Sequence, residues 1–357
     1  MRFLLLVALV IAACGSQPAP TANVTPSAPP SGSPASEVGS NAPSSLATSS
    51  SIAFALSCRL PITWDVNTGQ EFVRKAGFLK FPEQTISQDA SAPVGSWFYD
   101  RAFGRWLPVL REAVSYDGSR YAYATGNALQ GTNGSLHVVD LRTGADQTIF
   151  SGNFVYRVVE FAPEGIYLTA QPPEGRSRGL WLQNPTGGAA RQISSSVIDP
   201  WFSGGAAWGE NFDVSDPSPG PGGLEGPMNR LVRIDLQTGA ATPWYSWFGA
   251  GVYLAGVDYS GHPFVGVGRA QGPNATDNLE ELWLITSPGN GQRLFSGPAS
   301  QPWPIRLAAI DTHGIWFNGA SYQTSPRTIW LYTGGRIQTV ATVNLNDVTV
   351  AGGCIDG

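Results

Sequence analysis

Chemistry on a bound molecule needs a nucleophile with a base and an orienting group, or a cluster of metal ligands. The 357 residues offer three histidines, His137, His262 and His313, and three cysteines, Cys14, Cys58 and Cys354. His137 falls in a strand-like stretch, whereas His262 and His313 fall in Gly-containing turns at equivalent places in neighbouring repeats. A two-histidine metal site there competes with a simpler reading, in which each is a solvated turn residue, and the simpler reading is adopted. The chain contains no H-E-x-x-H, no G-x-S-x-G, no phosphate-binding glycine loop and no C-x-x-C. No catalytic residue, no cofactor and no metal site is therefore assigned from the sequence.

Binding is better supplied than catalysis. Arg157 and Arg306 each stand four residues before the end of an apolar segment, at Phe161 and Ile310. Two guanidinium groups in the same repeat phase suit a carboxylate or another anion, the alternative being structural ion pairs. Phe154, Tyr156, Trp247, Phe248, Tyr253 and Trp303 lie in connecting segments. Gathered at one mouth they would offer flat apolar surfaces to sugar rings or proline-rich peptides; the alternative is that they wedge between structural units. The ligand-binding candidates are accordingly Arg157, Arg306, Trp247, Phe248 and Trp303. A hydrolytic alternative would instead draw on Asp213, Asp216, Glu280 or Glu281.

What positions these side chains is a repeat. Residues 115–150 contain two tight turns, at Asp117-Gly118 and Asp140-Leu-Arg-Thr-Gly144, between segments of alternating or β-branched residues. That pattern predicts four strands in one blade. Comparable turns follow Asp65, Asp100, Asp140, Gln183, Asp235, Thr286 and Thr333, at intervals of 35 to 52 residues. Such spacing suits four-stranded blades that bury their faces only by stacking on neighbours. The expected fold is an all-β propeller of antiparallel four-stranded blades, with seven blades favoured and six the alternative, closed by strands from both termini. The longer segments, 126–135, 172–178, 213–229, 271–280 and 319–327, all fall between second and third strands, on one face. Function is expected on that face.

Composition agrees. The chain has 43 Gly, 28 Pro and only 13% charged residues, a balance suited to short strands joined by turns. Net charge is −5, with no run of Lys or Arg, which argues against nucleic acid as a partner. Residues 1–13 carry Arg2, an apolar run too short to span a bilayer, and small residues before Cys14. This resembles a bacterial lipoprotein signal and implies that Cys14 is lipidated; without lipidation the protein would be secreted. Residues 14–51 are rich in Pro, Ser and Ala and cannot offset their ordering entropy, so they read as a tether. The folded domain is expected over 52–357. With Cys14 acylated, Cys58 and Cys354 remain as a pair at opposite ends of that domain, in a compartment where disulfides persist.

The Ser115-Tyr-Asp-Gly-Ser-Arg-Tyr121 stretch and the Asp-Leu-x-Thr-Gly turns at Asp140 and Asp235 resemble the repeats of TolB-like and WD-like bacterial propellers, with Tyr116 where proline is usual. The resemblance spans about residues 52–357 and implies a fold that hosts many activities. The function expected is that of a membrane-anchored, monomeric, non-catalytic binding module for a protein, peptide or glycan. A cell-envelope hydrolase acting on a sugar or lactone, and an envelope assembly scaffold, are the alternatives.

Overall fold

The computed structural model describes residues 56–127, 133–172, 177–203, 205–212, 228–270, 278–320 and 327–356. The expected signal segment, the tether and Cys14 lie outside these residues, as does part of each long second-to-third-strand segment. No helix among the described residues is long and apolar enough to cross a membrane.

Turn chemistry explains why the strands stop where they do. Asp140 accepts hydrogen bonds from the backbone N–H of Arg142 (3.0 Å) and Thr143 (2.7 Å) and from the Thr143 hydroxyl (2.9 Å). Asp235 repeats the arrangement with Gln237 and Thr238. The side chain thus satisfies donors that the turn leaves free, and the following glycine takes a positive φ, 74° at Gly144 and 73° at Gly239. At Gly239 a Cβ would also stand 1.8 Å from the Ile193 carbonyl oxygen, so no other residue fits.

Strands β1 (Cys58–Asn67), β2 (Phe72–Lys80) and β3 (Thr85–Gln88) start the first sheet. A two-stranded hairpin follows, β4 (Phe98–Asp100) and β5 (Arg105–Leu107), then a short 3-10 turn at Arg111–Ala113. The next sheet contains β6 (Arg120–Thr125), β7 (Gly134–Asp140) and β8 (Asp146–Gly152). Strands β9 (Val155–Ala162), β10 (Gly165–Gln171), β11 (Arg178–Gln183) and β12 (Arg191–Ser203) form a further blade. β12 continues into the blade of β13 (Ala206–Asn211), β14 (Arg230–Ile234) and β15 (Ala241–Ser246), so the two blades make one seven-stranded sheet. The bend lies at Asp199, a non-glycine residue at φ 44° next to Pro200, where the register also shifts. Two regular four-stranded blades complete the series. One is β16 (Gly251–Val257), β17 (Pro263–Arg269), β18 (Leu279–Ser287) and β19 (Asn290–Pro298). The other is β20 (Trp303–Asp311), β21 (Gly314–Ala320), β22 (Arg327–Thr333) and β23 (Arg336–Val343).

The chain then returns to its start. β24 (Asn346–Val350) pairs antiparallel with β1, Ile62 opposite Val350, and β25 (Ile355–Asp356) pairs with the first residues of β1. Cys58 and Cys354 are disulfide-bonded, with Cα atoms 5.8 Å apart. The innermost elements adjoin one another in succession, from the 3-10 turn through β9, β12, β16 and β20 to β24. The Tyr99 N–H donates to the Ala351 carbonyl (2.7 Å) and closes the circle. The protein is an all-β propeller closed by strands from both termini. Its core lies between blades, where Trp208, Trp316, Phe264 and Phe317 are fully buried.

Two expectations are corrected. Residues 115–150 hold three strands and not four: the fourth place, innermost, is reduced to a single bridge between Val114 and Tyr121, because Pro108 and the 3-10 turn stand where a strand was expected. The turn after Asp65 joins second and third strands, since β24 takes the inner place and pushes β1 one position outward.

Candidate functional site

The inner elements enclose an axial channel. At one end Tyr99, Arg111, Glu112, Glu160, Trp201 and Asp311 contribute to the wall of a cavity of about 250 Å³. A second cavity of about 470 Å³, reaching Arg306, Asn318 and Arg327, shares Phe98, Arg111, Glu112 and Leu307 with the first. These residues come from the β4–β5 hairpin, the 3-10 turn, the inner strands β9, β12 and β20, and the neighbouring β21 and β22, so only ring closure assembles them.

The chemistry of the channel is mixed charge beside aromatic rings. Arg306 donates to Glu112 Oε1 at 2.8 Å, and its guanidinium lies 5.0 Å over the Trp201 ring. Arg157 is half-buried, with its Nε buried and without a hydrogen-bond partner. Burial, and next the neighbouring Arg306 charge, push the Arg157 pKa down, opposed by Asp199 and Glu112; an arginine stays cationic regardless. Glu160 is pushed up to about 8, chiefly by burial; Arg111 opposes the shift, and Glu112 and Glu164 add to it. Near neutral pH its carboxyl group is therefore mostly protonated and can donate. The cavities thus present the Glu160 carboxyl, the Arg306–Glu112 ion pair, the further charges of Arg111, Asp311 and Arg327, and aromatic faces to a guest.

Of the sequence candidates, Arg306 lines the second of these cavities, whereas Arg157 lines a separate cavity beside Trp97, Tyr123 and Tyr156. Arg306 is half exposed but committed to Glu112, so the two guanidinium groups do not form a free anion clamp. The aromatic candidates divide. Trp247 is buried, stacked on Tyr245 at 4.2 Å and edge-on to Trp283, and Trp303 is buried too. Both wedge inside the fold, which corrects the expectation of a platform at the mouth; Phe248 and Phe154 are the exposed ones. Glu281 is held by Arg293 (3.0 Å), Arg269 (3.4 Å) and the Trp283 indole N–H (3.0 Å). Glu280 is buried in β18, where burial pushes it up to about 7. Asp213 and Asp216 lie outside the described residues.

The turn histidines each meet carboxylates. His262 Nδ1 is 3.4 Å from Asp258, while His313 stands 3.3 Å from Asp311 and 3.1 Å from Asp356. Among the described residues no group of three or more His, Cys, Asp or Glu side chains is arranged to hold a metal ion.

Sequence reasoning missed Glu112, Glu160 and Trp201. Glu112 comes from a segment read as a strand that forms a 3-10 turn. Glu160 stands three residues after Arg157, an odd spacing that strict strand alternation assigns to the opposite face. The register shift between Tyr167 and Leu168, which skips Val159, breaks that alternation.

No protein-family model matches the chain, and no curated protein matches it. Solved structures are similar to it at low identity. TolB from Acinetobacter baumannii is 12% identical with TM-score 0.48, over 82% of this chain and 67% of that one. An oligogalacturonate lyase in complex with manganese is 12% identical with TM-score 0.47, over 81% and 77%. A putative 6-phosphogluconolactonase from Bacteroides fragilis is 11% identical with TM-score 0.46, over 82% and 96%.

Proposed function

We propose that the protein is an extracytoplasmic propeller, held at a bacterial membrane through lipidated Cys14, that binds a protein, peptide or glycan in its axial channel without transforming it. The observation that carries this reading is the cavity of about 250 Å³ in which aromatic and charged side chains from separate blades converge. Sugar rings and peptide chains present apolar surface edged with polar groups, and a wall that alternates Tyr99 and Trp201 with Arg111, Glu112 and Glu160 matches both kinds of surface. The Cys58–Cys354 disulfide supports an oxidising compartment. Glycan arrays and peptide pull-downs with the whole chain test the reading. Capture by the wild type and its loss in Trp201→Ala are expected; no partner, or capture indifferent to Trp201→Ala and Arg306→Ala, argues against it. Cys14→Ser should move the protein from membrane to soluble fractions.

A second reading, a hydrolase acting on a sugar or lactone, is favoured by one feature, the protonated Glu160 close to Glu112. A buried acid that donates a proton and a second carboxyl group beside it are the pair such chemistry uses. Glu160→Gln would then abolish turnover while leaving binding in place.

A further inference from the structure

One sheet face carries chemistry that the channel does not use. On the antiparallel pair β6–β7, Thr125 stands opposite Ser135 and Tyr123 opposite His137, while Thr148 of β8 stands opposite His137 on the other side. Ser135 Oγ is 2.8 Å from His137 Nε2, and His137 Nδ1 is 3.1 Å from Asp146 Oδ1 and 3.4 Å from Thr148 Oγ1. The Tyr123 ring stacks on the imidazole with centroids 4.6 Å apart and planes 12° apart. Its hydroxyl donates to Asp146 Oδ2, and the Thr125 hydroxyl is hydrogen-bonded to Ser135 Oγ.

This is the order nucleophile, base, orienter, at hydrogen-bonding distances for each link. The orienter is itself held, because the hydrogen bond from Tyr123 lowers the Asp146 pKa and keeps the carboxylate ionised. With Asp146 accepting from Nδ1–H, Nε2 is left to accept from Ser135, and the stacked Tyr123 ring fixes the imidazole plane. The opposite face of the same strands is core: Ala122, Leu136 and Val138 are buried there.

The face is open because the neighbouring unit is short. The β4–β5 hairpin, with the segment after it, packs on Tyr121 and Tyr123 through Leu107 and Val109 and has no outer strands to continue. Asp146, Thr148 and Thr125 are exposed, and Ser135 and His137 are partly so. In the regular blade of β16–β19, by contrast, Phe264, Val265 and Val267 of β17 are all buried.

We propose that Ser135 is a nucleophile that accepts acyl groups from small esters, with His137 as general base and Asp146 as positioning residue. Ser135 Oγ attacks the ester carbonyl carbon while His137 Nε2 takes the hydroxyl proton. The bond to the alkoxy oxygen breaks, and the alcohol leaves with that proton. Water, deprotonated by His137, attacks the Ser135 ester, and the carboxylic acid departs as the proton returns to Oγ.

The test treats the whole protein with a fluorophosphonate probe and follows p-nitrophenyl acetate hydrolysis. The expected result is one covalent adduct, located by peptide mass analysis at Ser135. Hydrolysis should fall at least about 100-fold in Ser135→Ala and in His137→Gln. Asp146→Asn should lower kcat with little change in KM and shift the pH profile of kcat. Ser135→Cys should be alkylated by iodoacetamide faster than the same variant carrying His137→Gln, with melting temperatures reporting that each variant is folded. A folded wild type with no adduct at Ser135, or hydrolysis unchanged in Ser135→Ala, overturns the proposal.

Discussion

Two of the ring's irregular places are irregular in opposite ways. At the closing blade the chain is discontinuous between β24 and β1, yet the blade is complete and a disulfide stands where a hairpin would join its first two strands. At β4–β5 the chain is continuous, yet only two strands are present. The first gap is filled by a covalent bond and by Asp311. One Asp311 oxygen accepts from the Trp316 indole N–H (2.7 Å) and the Cys354 N–H (2.6 Å), and the other accepts from the N–H of His313 (2.8 Å) and Gly314 (3.3 Å). The second gap is left open, and a polar network lines the exposed face beside it. A missing peptide connection can be replaced by one cross-link; missing strands remove a whole packing surface, and the neighbouring face must turn polar.

That contrast can be broken by experiment. Cys58→Ser should give the largest effect, a loss of roughly 2 to 5 kcal/mol, because closing a loop of nearly the whole domain restricts the unfolded chain strongly. Melting with and without reductant reads it, and an unchanged midpoint would show that the strand pairing alone closes the ring. Asp311→Ala leaves buried donors without their acceptor and should cost about 3 kcal/mol, read by urea denaturation.

Glu160 gives a pH signature. Its folded pKa of about 8 lies above the ordinary value of 4.5, so the folded state binds the extra proton between those values. Its contribution is full below about pH 4.5 and is lost as pH rises through about 8. Glu160→Gln should therefore flatten the fall in melting temperature across that window; an unaltered pH profile would place the titration elsewhere. A double-mutant cycle on Arg306 and Glu112, both partly exposed, should give a coupling of only about 0.5 to 1 kcal/mol. Tyr116→Ala, at a turn residue 82% exposed, should change stability by less than about 0.5 kcal/mol.

How legible the fold was depends on the residue. Asp140 and Asp235 announce their turns because each side chain caps donors two and three residues onward, an interaction contained within five residues. Cys58 and Cys354 were legible as a pair by counting. Asp65 misled: its Val-Asn-Thr-Gly turn looks like the others, and only pairing with β24 decides which two strands it joins. Trp247 and Trp303 misled as well, since an aromatic residue in a connecting segment reads alike whether it faces solvent or a neighbouring blade. The channel was legible only in Arg306. Glu112 and Glu160 needed a 3-10 turn and a one-residue register shift, neither of which alternation reveals.

The sequence by itself determined the class of fold, the positions of most tight turns and the closure of the ring, because those rest on local backbone preferences and on the parity of the cysteines. Only the tertiary structure decided what meets in the channel and on the open face of β6–β8. Arg306 finds Glu112 across 194 residues, and the Ser135, His137 and Asp146 chain is accessible because a different unit, β4–β5, is short. Such meetings depend on where blades end relative to one another, and no local rule carries that information.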